Sequence, residues 1–153
     1  MQEIRSQVEI RIAAPVDAPE LARLNAAFNG LYEAPEALAR RMGDPRQVEV
    51  ALLALLDDRT VGFAGLRLIP SLFACTMYAE LTELFVEPSA RRHGVGRALV
   101  QHAERLAREA GAESMYLLAG LSNTAGQAFY HALGYRPGQV AMCRELDRAQ
   151  EGS

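Results

Sequence analysis

The chain has 153 residues, 50% of them hydrophobic and 23% charged, with a formal net charge of −3 at pH 7. That length and apolar content suit one sizeable core, and the mildly acidic balance disfavours nucleic-acid binding. No apolar run approaches the roughly 18 residues of a membrane span, and residues 1–8 lack a signal-peptide stretch, so a cytoplasmic protein without membrane association is expected. Cys75 and Cys143 have no CxxC partner, and His93, His102 and His131 stand at no metal-ligand spacing to them. Neither a disulfide framework nor a metal is expected.

Alternation of Val8, Ile10 and Ile12 with Glu9 and Arg11 predicts a half-buried first strand. Asp17 is placed to cap a helix carrying Leu21, Leu24 and Phe28 on one face, which Asn29-Gly30 stops. A short helix over residues 36–42 ends at Gly43-Asp44-Pro45. Residues 48–56 and 61–69 then read as strands joined by a turn at residues 57–60, and a third consecutive strand runs over 76–86. Pro88 leads out of it. Residues 95–110 carry apolar side chains at helical spacing, with Gly111 as a left-handed cap. A strand at 114–118 follows; strand, helix, strand makes the two strands parallel neighbours in a mixed sheet. A helix over 124–133 is capped by Gly134, and short strands are expected near Tyr135 and over 141–146. Residues 147–153 read as a polar tail.

The junction Arg91-Arg92-His93-Gly94-Val95-Gly96-Arg97 is built against local stability. Glycine costs a helix roughly 1 kcal/mol against alanine, and cations oppose the dipole at a helix N-terminus. A bound phosphate resolves both conflicts, because glycines admit it to free backbone N–H groups and Arg91, Arg92 and Arg97 neutralise it. A P-loop would need Lys-Ser or Lys-Thr where Arg97-Ala98 stands. A dinucleotide fingerprint would need glycine at position 99, which is Leu99, and an acid after the next strand. What remains is Arg-x-x-Gly-x-Gly behind several antiparallel strands.

With that pattern the sequence resembles the GNAT superfamily of acetyl-CoA-dependent N-acetyltransferases. Glu83-Leu84-Phe85-Val86-Glu87-Pro88 is similar to the family's fourth strand entering its pyrophosphate loop. Ser122-Asn123-Thr124-Ala125-Gly126-Gln127-Ala128-Phe129-Tyr130, followed by Leu133-Gly134-Tyr135, is similar to its second cofactor segment. The resemblance covers nearly the whole chain. It implies an α/β (α+β) fold over residues 1–147 as a single domain: a mixed, mostly antiparallel sheet of six to seven strands, splayed between the fourth and fifth and flanked by about four helices.

It also implies acetyl-CoA as co-substrate and a primary amine, of a small molecule, as acceptor in a ternary complex. Backbone N–H groups of Arg92, His93, Gly94, Val95, Gly96 and Arg97 would bind the coenzyme A pyrophosphate. The free edge of Leu84, Phe85 and Val86 would hold the pantetheine arm and polarise the thioester carbonyl. Asn123, Phe129 and Tyr130 fall in the second cofactor segment; Asn123 matches a residue that contacts the arm, and it also reads as a helix cap. Tyr130 matches the family's general acid for the departing thiolate, and Glu83 is the first choice for the base that deprotonates the amine. Glu80 or a water chain is the alternative base; strand alternation puts Glu80 and Glu83 on opposite faces unless a bulge intervenes. Diamine-acetylating relatives carry two adjacent acids here, and Thr82 replaces the first. Acceptor choice is assigned to residues 28–42 and 70–78, which include Phe28, Tyr32, Glu33, Glu36, Phe73 and Tyr78. A homodimer is a family-based expectation. The other functions that fit are an inactive acyl-CoA-binding regulatory module and an acetyltransferase acting on protein N-termini or lysines.

Overall fold

The computed structural model describes residues 7–146. In chain order they form β1 (Val8–Ile12), α1 (Ala18–Asn29), α2 (Pro35–Met42), β2 (Glu49–Leu56), β3 (Arg59–Pro70), β4 (Met77–Val86), α3 (Val95–Glu109), β5 (Met115–Leu117) and α4 (Thr124–Ala132). The chain divides after Leu117 into two compact units, the first holding the sheet with α1–α3 and the second holding α4.

The sheet has the order β1-β2-β3-β4-β5. Strands β1 to β4 pair antiparallel, and β5 pairs parallel to β4. Asp57 and Asp58, both with positive φ, form the β2–β3 turn, as a two-residue primed hairpin loop requires. Strand β2 carries consecutive buried residues Leu52, Leu53 and Ala54 because both sheet faces are covered. On one face Leu53 and Phe63 meet Leu21 and Leu24 of α1 and Phe85 of β4. Helix α3 packs on β1 to β4 through a stripe that buries Val95, Leu99, Val100, Ala103 and Ala107.

The parallel pairing joins only Ala79, Glu80 and Leu81 to Met115, Tyr116 and Leu117. Beyond Leu81, β4 keeps β3 on one side and has no strand on the other among the described residues. The pairing of the fourth strand with the fifth therefore ends at Leu81, where β5 itself ends.

Two expectations are corrected. The described residues hold five strands rather than six to seven, and neither Tyr135 nor residues 141–146 enter a ladder. Pro137 and Gly138 break the chain after Tyr135, and Val140, Met142 and Leu146 are almost fully exposed, so the alternating tail has an amphipathic pattern but no partner strand. Asp17 precedes α1, but its carboxylate gives that helix no cap. It turns back to accept the Ala14 N–H at 2.8 Å and hydrogen bonds from Arg11 Nη1 and Nη2 at 2.7 and 2.8 Å. The Arg11 hydrogen bonds are the main reason its pKa falls to about 2. The tail over residues 147–153 lies outside the described residues.

Candidate active site

Strand β4 ends at Val86, a single turn of 3-10 helix follows at Pro88–Ala90, and the arginine-glycine junction leads into α3. Arg91 folds back on the strand, its Nε donating to the Val86 carbonyl at 3.0 Å. His93 Nδ1 lies 2.9 Å from the Arg91 carbonyl and 3.3 Å from that of Ala90, two acceptors that require a proton on this nitrogen. Arg92 (φ 64°) and Gly94 (φ 77°) are both left-handed, with one residue between them. Such an alternation turns successive N–H groups inward as a nest.

The consequence is visible in the hydrogen bonds. The first return bond into α3 runs from the Ala98 N–H to the Gly94 carbonyl at 3.0 Å. The backbone N–H groups of residues 92–97 have no partner among the described residues. A helix start alone leaves about four such donors; this one leaves six in a row. Arg91, Arg92 and Arg97 are exposed and in no ion pair among the described residues, while the nearby Glu87 is held by Arg23 and Arg59. Donors, dipole and cations together can hold a di-anion such as a pyrophosphate.

The same strand borders a cavity of about 230 Å³ lined from α1, α2 and the sheet. Leu21, Leu38, Met42 and Phe63 form its apolar wall, and Glu33, Glu49 and Glu83 are its carboxylates. Glu33 is paired to Arg41 at 2.9 Å. Arg67 binds Glu80 at 3.1 Å and Glu49 at 3.5 Å, and Glu49 Oε1 also accepts the Thr82 hydroxyl. The Glu83 side chain has no hydrogen bond or ion pair among the described residues.

Register explains how these side chains meet. Gly65 pairs with Glu83, but the next residue, Leu66, pairs with Leu81, so Thr82 is an extra residue in β4. This bulge cancels the alternation that would separate Glu80 from Glu83, and both share the face of Phe63 and Phe85. Of the two candidate bases, Glu80 is tied to Arg67 and Glu83 is free and lines the cavity. Glu49 and Arg67 drew no notice in the sequence, where the only trace of Glu49 is an acid at the start of an apolar strand. Of the expected acceptor-side residues, Glu33 lines the cavity, Phe28 packs on Phe63 and Phe85, and Tyr32 and Phe73 are largely exposed. Tyr78 stacks on Tyr116 with ring centroids 5.2 Å apart, and burial raises its pKa.

The second unit carries Asn123, Phe129 and Tyr130. Asn123 caps α4, its side chain accepting the Gly126 N–H at 3.0 Å. Tyr130 sits edge-on between Phe129 (5.2 Å) and Tyr135 (5.8 Å). Burial among these rings pushes its phenol above the ordinary value, so the proton is held at neutral pH. Among the described residues no group of three or more His, Cys, Asp and Glu side chains is placed to hold a metal, and no helix is long and apolar enough to cross a membrane.

The chain matches the model of the acetyltransferase (GNAT) family over residues 19–135. It is 35% identical over 114 residues to an aminoglycoside N(6')-acetyltransferase type 1 of Klebsiella aerogenes, covering 73% of this chain and 72% of that protein. It is 31% identical over 94 residues to the aminoalkylphosphonate N-acetyltransferase of Salmonella typhimurium strain LT2, 61% of each chain. Among solved structures it superimposes with a TM-score of 0.78 on an aminoglycoside acetyltransferase from an uncultured soil metagenomic sample in complex with sisomicin, at 19% identity over 92% of this chain and 97% of the other. A ribosomal-protein-alanine N-acetyltransferase from Brucella melitensis biovar Abortus 2308 gives the same TM-score at 20% identity, covering 92% and 100%.

Proposed function

The chain belongs to the GNAT family of acetyltransferases, and from that premise we propose that it transfers the acetyl group of acetyl-CoA to a primary amine of a small molecule, by direct attack in a ternary complex. The observation that carries the reading is the row of six N–H groups over residues 92–97 without a partner among the described residues, after a strand that beyond Leu81 has no described strand on its outer edge. These residues fit coenzyme A: the N–H row and Arg91, Arg92 and Arg97 would hold its pyrophosphate. The backbone of Leu84, Phe85 and Val86 would bind its pantetheine arm.

Bound acetyl-CoA supplies an activated acetyl thioester. A backbone N–H on the free edge of β4 would polarise its carbonyl, as an oxyanion donor does. An acceptor ammonium has a pKa near 10 in water and must lose a proton before it attacks. Glu83, unpaired among the described residues, is assigned that proton, and its free carboxylate, beside Glu33 and Glu49 that are paired to Arg41 and Arg67, supports a cationic acceptor. Tyr130 is assigned the proton that the departing thiolate takes up, which its raised pKa keeps available at neutral pH. The relatives named for aminoglycosides and aminoalkylphosphonates support a small-molecule acceptor over a protein terminus.

Thiol release from acetyl-CoA across a panel of aminoglycosides, aminoalkylphosphonates, polyamines and peptide N-termini tests the proposal. Turnover on a small amine is expected, with product mass increased by one acetyl group and kcat at least tenfold lower in Tyr130→Phe. Binding of acetyl-CoA with no turnover on any amine would instead identify a regulatory binding module.

A further inference from the structure

Burial dictates that β4 must contain one extra residue, but leaves its position open. Ala79 and Leu81 are buried and pair with Leu68 and Leu66, on the sheet face opposite Phe63. Phe85 is also an odd-numbered position, yet it packs with Phe63, Leu53 and Leu24. Strict alternation from Leu81 would put Phe85 on the wrong face. The ladder must therefore be interrupted between Leu81 and Phe85, and Thr82, Glu83 or Leu84 could each be the extra residue. An interruption further along would turn Glu83 away from the cavity, since a one-residue change of register moves a side chain to the other face. The neighbouring strand gives no help, because β5 stops pairing at Leu81.

Something else holds the bulge at Thr82. Its hydroxyl donates to Glu49 Oε1 two strands away, the other Glu49 oxygen accepts from Arg67, and Arg67 binds Glu80 on β4 itself. Gly65, opposite the bulge, leaves room for this bond: a Cβ there would lie 2.7 Å from Glu49 Oε1 and closer still to Thr82 Oγ1. The network spans β2, β3 and β4 at one level of the sheet. It ends one residue short of the unpaired Glu83.

We infer that Glu49 is a positioning residue, which fixes the β4 bulge at Thr82 through the Thr82 hydroxyl and Arg67 and thereby aims Glu83 into the acceptor cavity. This rests on the assignment of Glu83 as the base in acetyl transfer. The network gives Thr82 the role of a neutral donor, its hydroxyl hydrogen-bonding a carboxylate that arginine also binds.

The test is steady-state kinetics with acetyl-CoA and the best amine of the panel, on Thr82→Val, Thr82→Ser, Glu49→Ala and the Thr82→Val/Glu49→Ala pair. Thr82→Val keeps the shape and removes the hydroxyl. Its kcat should fall about tenfold or more, with the KM for acetyl-CoA within twofold, and Thr82→Ser should recover at least a third of wild-type kcat. In the double variant kcat should fall no further than in the worse single variant, because both break one bond. Thr82→Val with kcat within twofold of wild type, no recovery in Thr82→Ser, or multiplying losses in the double variant would overturn the inference. So would a lower Tm in every variant with kcat unchanged, which would make the network merely structural. If Thr82→Val does not fold, Glu49→Leu, which keeps most of the bulk and removes both acceptor oxygens, is held to the same kcat criterion. A wild-type protein inert toward every amine would refute the transfer reaction; an active wild type with an unaffected Thr82→Val variant would refute the positioning role alone.

Discussion

Gly94 carries the most direct prediction about the anion loop. It is the N-cap of α3 with φ 77° and ψ 8°, and a Cβ added there would meet nothing within 4 Å. A substitution therefore costs conformation and not space. Holding an L-residue in the left-handed region costs about 1–2 kcal/mol, more for a β-branched side chain and less for asparagine. Gly94→Ala can stay left-handed in the free protein, lowering Tm by about 2–4 °C per kcal/mol for a chain of this size. Alternatively the free loop relaxes, Tm holds, and coenzyme A must restore the nest on binding. In that case Kd rises roughly 5- to 30-fold. The two losses share one origin, so thermal denaturation and calorimetric titration of coenzyme A on the same samples should account for it between them. The summed effect should grow in the order Gly94→Asn, Gly94→Ala, Gly94→Val. Three variants with coenzyme A affinities and Tm values all within error of wild type would refute the claim that a left-handed residue 94 shapes the binding loop.

Other parts of the molecule give further tests. Asp17 has its pKa lowered to about 2 in the folded chain from an ordinary 3.8, chiefly by the Arg11 hydrogen bonds, so its stabilisation is fully present above about pH 5 and is lost as pH falls through 3.8 and then 2. With Arg11 partly exposed and screened, that contribution is about 1 kcal/mol. Urea denaturation should find Asp17→Asn less stable than wild type by that amount at pH 7, the difference narrowing below pH 4 and closing only below pH 2; a constant difference across the range would contradict the Arg11 pairing. Leu24→Ala removes a fully buried side chain from the α1 face of the core and should cost about 2–5 kcal/mol, lowering Tm by roughly 5–15 °C. A Tm within 2 °C of wild type would mean that α1 does not seal that face.

The conflict of the arginine-glycine loop with helix stability was legible because it is local: Arg91, Gly94, Gly96 and Arg97 lie within seven residues, and no tertiary knowledge is needed to notice it. Alternation and capping likewise placed β1, α1, β2, β3 and the parallel return of β5 to within a residue or two. The strand expected over residues 141–146 did not form, because its apolar Met142 and Leu146 find no partner strand among the described residues and stay exposed. The acceptor half was opaque for a related reason. Leu81-Thr82-Glu83-Leu84-Phe85-Val86 satisfies either of two inward frames, and only the burial of Leu81 on one side and Phe85 on the other reveals that both are used. Glu49 is 33 residues from Thr82 in the chain, and the two meet only once β2, β3 and β4 are in register around a residue without a side chain. Thr82 looked like the loss of a family acid. In the folded sheet it is the donor to a carboxylate that Arg67 also binds, at the level where the strand is interrupted, and the interruption puts Glu83 on the cavity face.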